Sequence, residues 1–140
     1  MFDALIKNSI APLVLRLCLA AVFIYHGMDL VGKSWGTAWN PEMPVAQQVL
    51  VAWGQLLGGL AMLLGLLTRL AAIGLAIIMA GAIAVVHLPN GFSLVKDGAY
   101  NGGYEYNVVI IGICVVLILT GGGHLAADRW FRLRPKLKQK

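Results

Sequence analysis

The sequence predicts an all-α integral membrane protein: one domain over residues 1–140, folded as an antiparallel four-helix bundle with both termini cytoplasmic. Three observations predict it. Hydrophobic residues make up 59% of the chain and charged residues 12%, with a mean hydropathy of +0.80, whereas soluble domains are roughly a quarter charged. Four apolar stretches, approximately 10–31, 45–67, 70–88 and 104–125, each have about the 20 residues that span a ~30 Å hydrocarbon core. Basic residues gather at one end: Lys7, Arg69, Arg129, Arg132, Arg134, Lys136, Lys138 and Lys140 fall on the side of the termini, and Lys33 and Lys96 opposite. That bias places the termini inside.

The first stretch follows Lys7 and resembles a signal peptide only at its start. Arg16 interrupts it and no small-x-small cleavage site closes it, so a retained helix is predicted. Arg16 lies about 9 Å into the inner half, near enough to snorkel to the interface as an anchor. A buried pairing with Asp128, the carboxylate nearest in depth, is the alternative. Cys18 in this helix and Cys114 in the fourth stand alone without metal spacing, and both are expected to be small buried residues.

The second and third stretches are separated only by Thr68-Arg69, which predicts a tight helical hairpin with Arg69 at the inner interface. Gly54 and Gly58 form a G-x-x-x-G on one arm, and Ala72, Ala76, Ala80 and Ala84 form a small-residue stripe on the other. In lipid, packing comes from close backbone approach, so these rows are expected to face each other. The fourth stretch opens on Glu105 and closes on Gly121-Gly122-Gly123.

Six of the eleven basic residues lie in the tail 129–140, so the net charge of +5 is no nucleic-acid signature. The tail reads as an orientation signal lying on anionic lipid. Trp35, Trp39, Tyr100, Tyr104 and Tyr106 are placed in an outer aromatic belt, with Trp130 and Phe131 in an inner one.

Ionisable groups in membrane helices cost several kcal/mol unless paired or hydrated, which makes each a functional candidate. His26 and His87 both lie about 24–26 Å above the inner ends of their helices, and Glu105 opens the fourth helix at that level. Asp29 follows His26 at i+3 and is placed to accept from one imidazole nitrogen and fix its tautomer. Gln55 sits somewhat deeper and completes the ring. Two readings stay open: a hydrogen-bonded collar that locks the helices, or a pocket that binds a ligand or handles protons. Three ligands for a metal are conceivable in His26, His87 and Glu105, but no metal is predicted. A quinone suits a membrane-depth pocket with one or two donors and apolar walls. The chain shows no nucleophile triad, no paired catalytic carboxylates and no phosphate-binding glycine loop.

These residues resemble the DoxX-like family of small four-helix bacterial membrane proteins over most of the chain. Arg16 followed by Phe23-Ile24-Tyr25-His26-Gly27 is similar to that family's first helix, and Gly58-Gly59, Gly65 and Thr68-Arg69 to its hairpin. Asn90-Gly91-Phe92 followed by Gly103-Tyr104-Glu105-Tyr106-Asn107 resembles its outer loop, and Gly121 to Asp128 its glycine-rich close. Gln55 stands where the family favours glutamate, and Lys33 matches only loosely the lysine after H-G. The resemblance implies a bacterial inner-membrane subunit that anchors or assists a redox complex, with membrane or periplasmic redox proteins as partners. Two rivals are a non-catalytic structural subunit and, ranked last, a small-molecule or ion carrier, since the broken paired helices of transporters are missing.

Overall fold

The computed structural model describes residues 5–132. Helix α1 spans Ile6–Gly32, α2 Val45–Leu64, α3 Thr68–Asn90 and α4 Glu105–Thr120, with a short α5 at Ala127–Arg132. Among the described residues, α1, α2 and α3 are long and apolar enough to cross a membrane. Arg134, Lys136, Lys138 and Lys140 lie outside the described residues, as does the side chain of Phe131.

The inward faces follow a spacing that the sequence carries. Gln48, Ala52, Gln55, Gly59 and Met62 are buried on α2, Thr68, Ala72, Leu75 and Met79 on α3, and Asn107, Ile110, Cys114 and Leu117 on α4. Alternating steps of three and four residues keep a seam on one side of a helix and match left-handed packing at small crossing angles. α1 packs on α2, α2 on α3, α3 on α4, and α4 returns to α1. Leu19, Phe23, Met62, Leu75, Cys114 and Leu117 form the common core.

Four expectations are corrected here. α4 ends at Thr120 instead of continuing to Leu125, because Gly121 and Gly123 take φ of +77° each and break the helical path. At 16 residues it is about 24 Å long. The hairpin link is residues 65–67, and Thr68-Arg69 already belong to α3. Gly54 and Gly58 do face α3, but they receive Ile78 and Leu75 and not the alanine stripe: an added Cβ would lie 3.0 Å from Ile78 Cδ1 and 2.7 Å from Leu75 Cδ2. Ala76 is half-buried against the core, while Ala80 points outward. Finally, Cys18 is exposed on the outer surface of α1, whereas Cys114 is buried.

Close backbone approach through glycine occurs instead between α1 and α2. A Cβ on Gly27 would stand 2.5 Å from the Leu56 nitrogen, and one on Gly59 2.8 Å from that of Ile24. Each glycine lets the other helix in.

Both long outer helices carry a wide, π-type turn two residues before a proline: Ile6–Ile10 before Pro12, and Ile83–His87 before Pro89. Proline returns no N–H and its ring crowds the carbonyl four residues back, so the ladder widens ahead of it. The Asn8 carbonyl, four residues before Pro12, accepts instead from the His124 N–H at 2.8 Å. Between α3 and α4 a small hairpin pairs Val95–Lys96 with Ala99–Tyr100. Its turn, Asp97-Gly98, has φ of +52° and +79°, the mirror-image geometry that tight hairpins require.

Candidate functional site

Polar residues are buried at both ends of the helices, and they are treated differently. At the end nearer the termini, Arg16 is 1% exposed. It does not snorkel. Its Nε donates to Met62 O at 2.9 Å, Nη2 to Leu63 O at 3.0 Å, and Nη1 to Gly122 O at 3.1 Å and Leu125 O at 3.3 Å. Met62 and Leu63 lie in the last turn of α2, where carbonyls lack the N–H four residues on and carry the negative end of the helix dipole; Met62 O also accepts from the Gly65 N–H at 3.2 Å. The guanidinium therefore finds acceptors at its own depth, and reaching for water is unnecessary. Gly65, at φ +70°, turns the chain around it, and a Cβ there would lie 2.6 Å from Arg16 Cζ.

Asp128 does not pair directly with Arg16. Its carboxylate accepts from the Leu67 N–H at 2.5 Å and the Thr68 N–H at 2.8 Å, capping the start of α3. Leu67 is held there at φ +48°. A cation thus sits on the carbonyl end of one helix and an anion on the amide end of the next. Arg69 is exposed and donates to Leu119 O at 3.2 Å. Thr68 Oγ1 is the exception, a buried hydroxyl with no partner among the described residues.

At the opposite end a cavity of about 470 Å³ opens among α1, α2, α3, α4 and the hairpin. His26 of α1, Gln55 of α2, His87 of α3 and Asn107 of α4 all line it, with Tyr100 and Tyr106. Phe23, Met79 and Ile110 supply apolar wall. Gln55 and Asn107 are 8% and 6% exposed, within the inward seams of their helices. His26 stands at the edge of the α1 seam, beside Gly27, with its ring edge-on to Tyr25.

His87 ends the widened turn of α3 and is held by the outer loop. Its Nδ1 lies 2.7 Å from Gly102 O. A carbonyl only accepts, so Nδ1 carries the proton, and Nε2 of the neutral ring is left as an acceptor. The same carbonyl takes a second bond from Asn90 Nδ2 at 3.3 Å, while Asn101 Nδ2 donates to Asn90 O and Ser93 O. Gly103 passes directly against Phe92 and Ser93, where a Cβ has no room. The loop is thus a clamp on one imidazole.

Of the residues singled out from the sequence, His26, Gln55 and His87 share the cavity, and Asp29 and Glu105 are not in its lining. Asp29 accepts from Lys33 Nζ at 2.8 Å, with both side chains about half exposed, and makes no bond to His26. At i+4 the long lysine reaches the carboxylate more easily than a ring at i−3 does. Glu105 caps nothing and lies about 200° around α4 from Asn107, since two residues turn a helix by that much. Among the described residues no three of His, Cys, Asp and Glu group as metal ligands. Sequence reasoning missed Asn107, although its i, i+3, i+7, i+10 relation to Ile110, Cys114 and Leu117 marks it as inward. Tyr100 and Tyr106, expected in an outer aromatic belt, are exposed and also line the cavity.

The collar reading requires these groups to satisfy one another, and they do not. Among the described residues His26, Gln55 and Glu105 make no side-chain hydrogen bond, and Asn107 reaches only Met79 Sδ, at 3.5 Å. Thr68 Oγ1 is the one fully buried side-chain oxygen or nitrogen without a partner among the described residues, so the free polar atoms of Gln55 and Asn107 face open cavity space. The cavity therefore holds open hydrogen-bonding capacity.

The DoxX family model matches residues 11–88, more than half of the chain. The protein belongs to the DoxX family of membrane proteins. "Putative oxidoreductase CatD" of Bacillus subtilis (strain 168) is 28% identical over 123 residues, covering 86% of each chain. An uncharacterized protein of Haemophilus influenzae (strain ATCC 51907 / DSM 11121 / KW20 / Rd) is 24% identical over 132 residues, 88% of this chain and 84% of its own. No solved structure matches the chain.

Proposed function

We propose that this protein is a multi-pass subunit of a bacterial cytoplasmic-membrane redox complex, and that its loop-end cavity binds the head of a quinone. One observation carries the reading: His26, Gln55 and Asn107, from α1, α2 and α4, bond to no nitrogen or oxygen of the described residues through their side chains and meet a clamped imidazole from α3 in a single cavity walled by Phe23, Met79 and Ile110. The oxidoreductase named among its relatives supports the same direction.

The residues present fit such a head. Gln55 and Asn107 offer amide N–H donors to a carbonyl oxygen, and His87 Nε2 offers an acceptor to a hydroxyl. A bound quinone supplies two-electron, two-proton chemistry. His87, with Nδ1 committed to Gly102, would take up a proton at Nε2 relayed from the outer surface by His26 at the rim and give it to the head as the ring is reduced. Electrons come from a membrane or periplasmic redox partner. The helices cross with both termini cytoplasmic, in keeping with the basic-residue count, so the cavity faces outward.

Gentle extraction from native membranes followed by solvent extraction and chromatography tests the cavity. Quinone should copurify with the parent protein and be lost from His87→Ala and Gln55→Leu while both remain folded. Equal quinone in all three removes the proposal. For topology, a reporter active only in the cytoplasm and fused after Lys140 should be active; silence there, with activity when it is inserted at Gly98, would reverse the orientation.

A further inference from the structure

The cavity has a second chamber. A groove of about 390 Å³ runs between α2 and α3 and meets the polar cavity at Gln55, Ala82 and His87, which line both. The two chambers differ in kind. The polar one collects two imidazoles, two amides and two phenols, whereas the groove is lined chiefly by aliphatic side chains, among them Val51, Ile78, Val85 and Val86. Its rim faces outward from the helices: Leu50 is 72% exposed and Ile77 66%, surfaces that in a bilayer meet hydrocarbon.

Loop residues Trp39 and Met43 also line the groove. Gln48 accepts at Oε1 from the Trp39 and Asn40 N–H groups, both at 3.1 Å, and donates from Nε2 to Met43 O at 2.8 Å. Trp39 Nε1 returns a bond to Gln48 O at 3.2 Å. One buried glutamine thereby pins Trp39 and Met43 over the groove. The groove is thus flanked by pinned loop residues and, on α2 and α3, by the exposed Leu50 and Ile77.

We infer that this groove is the lateral passage for the isoprenoid tail of the quinone whose head occupies the polar cavity; the inference rests on the proposed function. A polar head and a long hydrocarbon tail need two environments joined at one point, and Gln55, Ala82 and His87 form that junction. The passage adds little affinity of its own, because lipid chains solvate a tail as well as valine and isoleucine do. Its role is steric. A tailed ring seats only if the tail has a way out.

Gly81 provides the test. It lines the groove, and a Cβ there meets nothing within 4 Å, so a larger side chain fills the passage without displacing protein atoms. Gly74 lies on the same helix, also has open space around its Cβ, and is absent from the lining of the groove. Binding of a tailless benzoquinone, and of the same ring carrying a long alkyl tail, is measured in lipid nanodiscs for the parent, Gly81→Leu and Gly74→Leu. Comparing proteins for one ligand cancels that ligand's partition into lipid. Gly81→Leu should weaken the tailed ring by about tenfold or more and leave the tailless ring within about twofold. Gly74→Leu should change neither.

Equal weakening of both rings by Gly81→Leu, or no effect on either, overturns the passage while leaving the head cavity standing. Failure of the parent to bind either ring overturns the head cavity and the passage with it. Weakening by Gly74→Leu to the same degree would show a general loosening of α3 and also overturn the passage.

Discussion

The two ends of the molecule bury polar side chains at similar cost and settle that cost in opposite ways. Around Arg16, four carbonyls from α2 and the segment after α4 receive the guanidinium, and Asp128 receives two backbone N–H groups. Around His87, one imidazole is clamped, while the side chains of His26 and Gln55 make no hydrogen bond among the described residues and Asn107 reaches only the Met79 sulfur. A buried ion that is fully received holds helices together. A buried amide that is not received waits for something to bind. Polarity within a membrane helix is thus not by itself evidence of a site, and the state of its hydrogen bonds separates the two meanings.

The sharpest way to break this comparison is to remove Arg16. Arg16→Leu strands the carbonyls of Leu63, Gly122 and Leu125 and removes the link between α2 and the segment after α4, so the loss of stability should reach about 3–5 kcal/mol. Arg16→Lys should recover only part of it, because one ammonium cannot fork to carbonyls on both α2 and the segment after α4. Unfolding of purified protein by titrating a denaturing detergent, followed by loss of helical signal, reads both. A loss below about 1 kcal/mol for Arg16→Leu would mean that this end is not the fastener described above.

The opposite sign is expected at the other end. Gln55→Leu and Asn107→Leu each replace an amide side chain that bonds to no nitrogen or oxygen of the described residues with a side chain of similar size, and leave no polar atom behind. Stability in the same titration should stay within about 1 kcal/mol of the parent or rise, while quinone content falls. That combination is the mark of a site kept open at the expense of stability. Destabilisation beyond about 2 kcal/mol in both variants would return the collar reading to favour.

Much of this was legible in the sequence, and the misses share one physical cause. Hydropathy and rise per residue place His26, His87 and Glu105 at one depth, and the charge bias singles out one end. Depth is only one of two coordinates. Azimuth decides which residues meet, and the three-and-four spacing that carries it picks Gln55 and Asn107 and turns Glu105 away. Arg16 was misread for a different reason. Snorkelling assumes that water is the nearest acceptor, but α2 ends at Leu64, and the carbonyls of that last turn appear only once the hairpin is folded. The widened turn that delivers His87 follows from Pro89, a signal present in the sequence and not used.

The smallest expected effects test azimuth directly. Asp29→Asn removes one partner of an exposed pair separated by four residues, an interaction worth about 0.3–0.5 kcal/mol in a helix. Glu105→Gln changes a group that shares the depth of the cavity but not its lining. Both variants should therefore keep their stability within about 0.5 kcal/mol and their full quinone content, although Glu105 stands only two residues from Asn107 and Asp29 three from His26. If Glu105→Gln abolished binding, the carboxyl would have to reach the head by a rearrangement of α4, and depth would be the better guide after all. Unchanged binding in both, beside loss in Gln55→Leu, would establish that the side of the helix, and not its level in the membrane, selects the residues of this site.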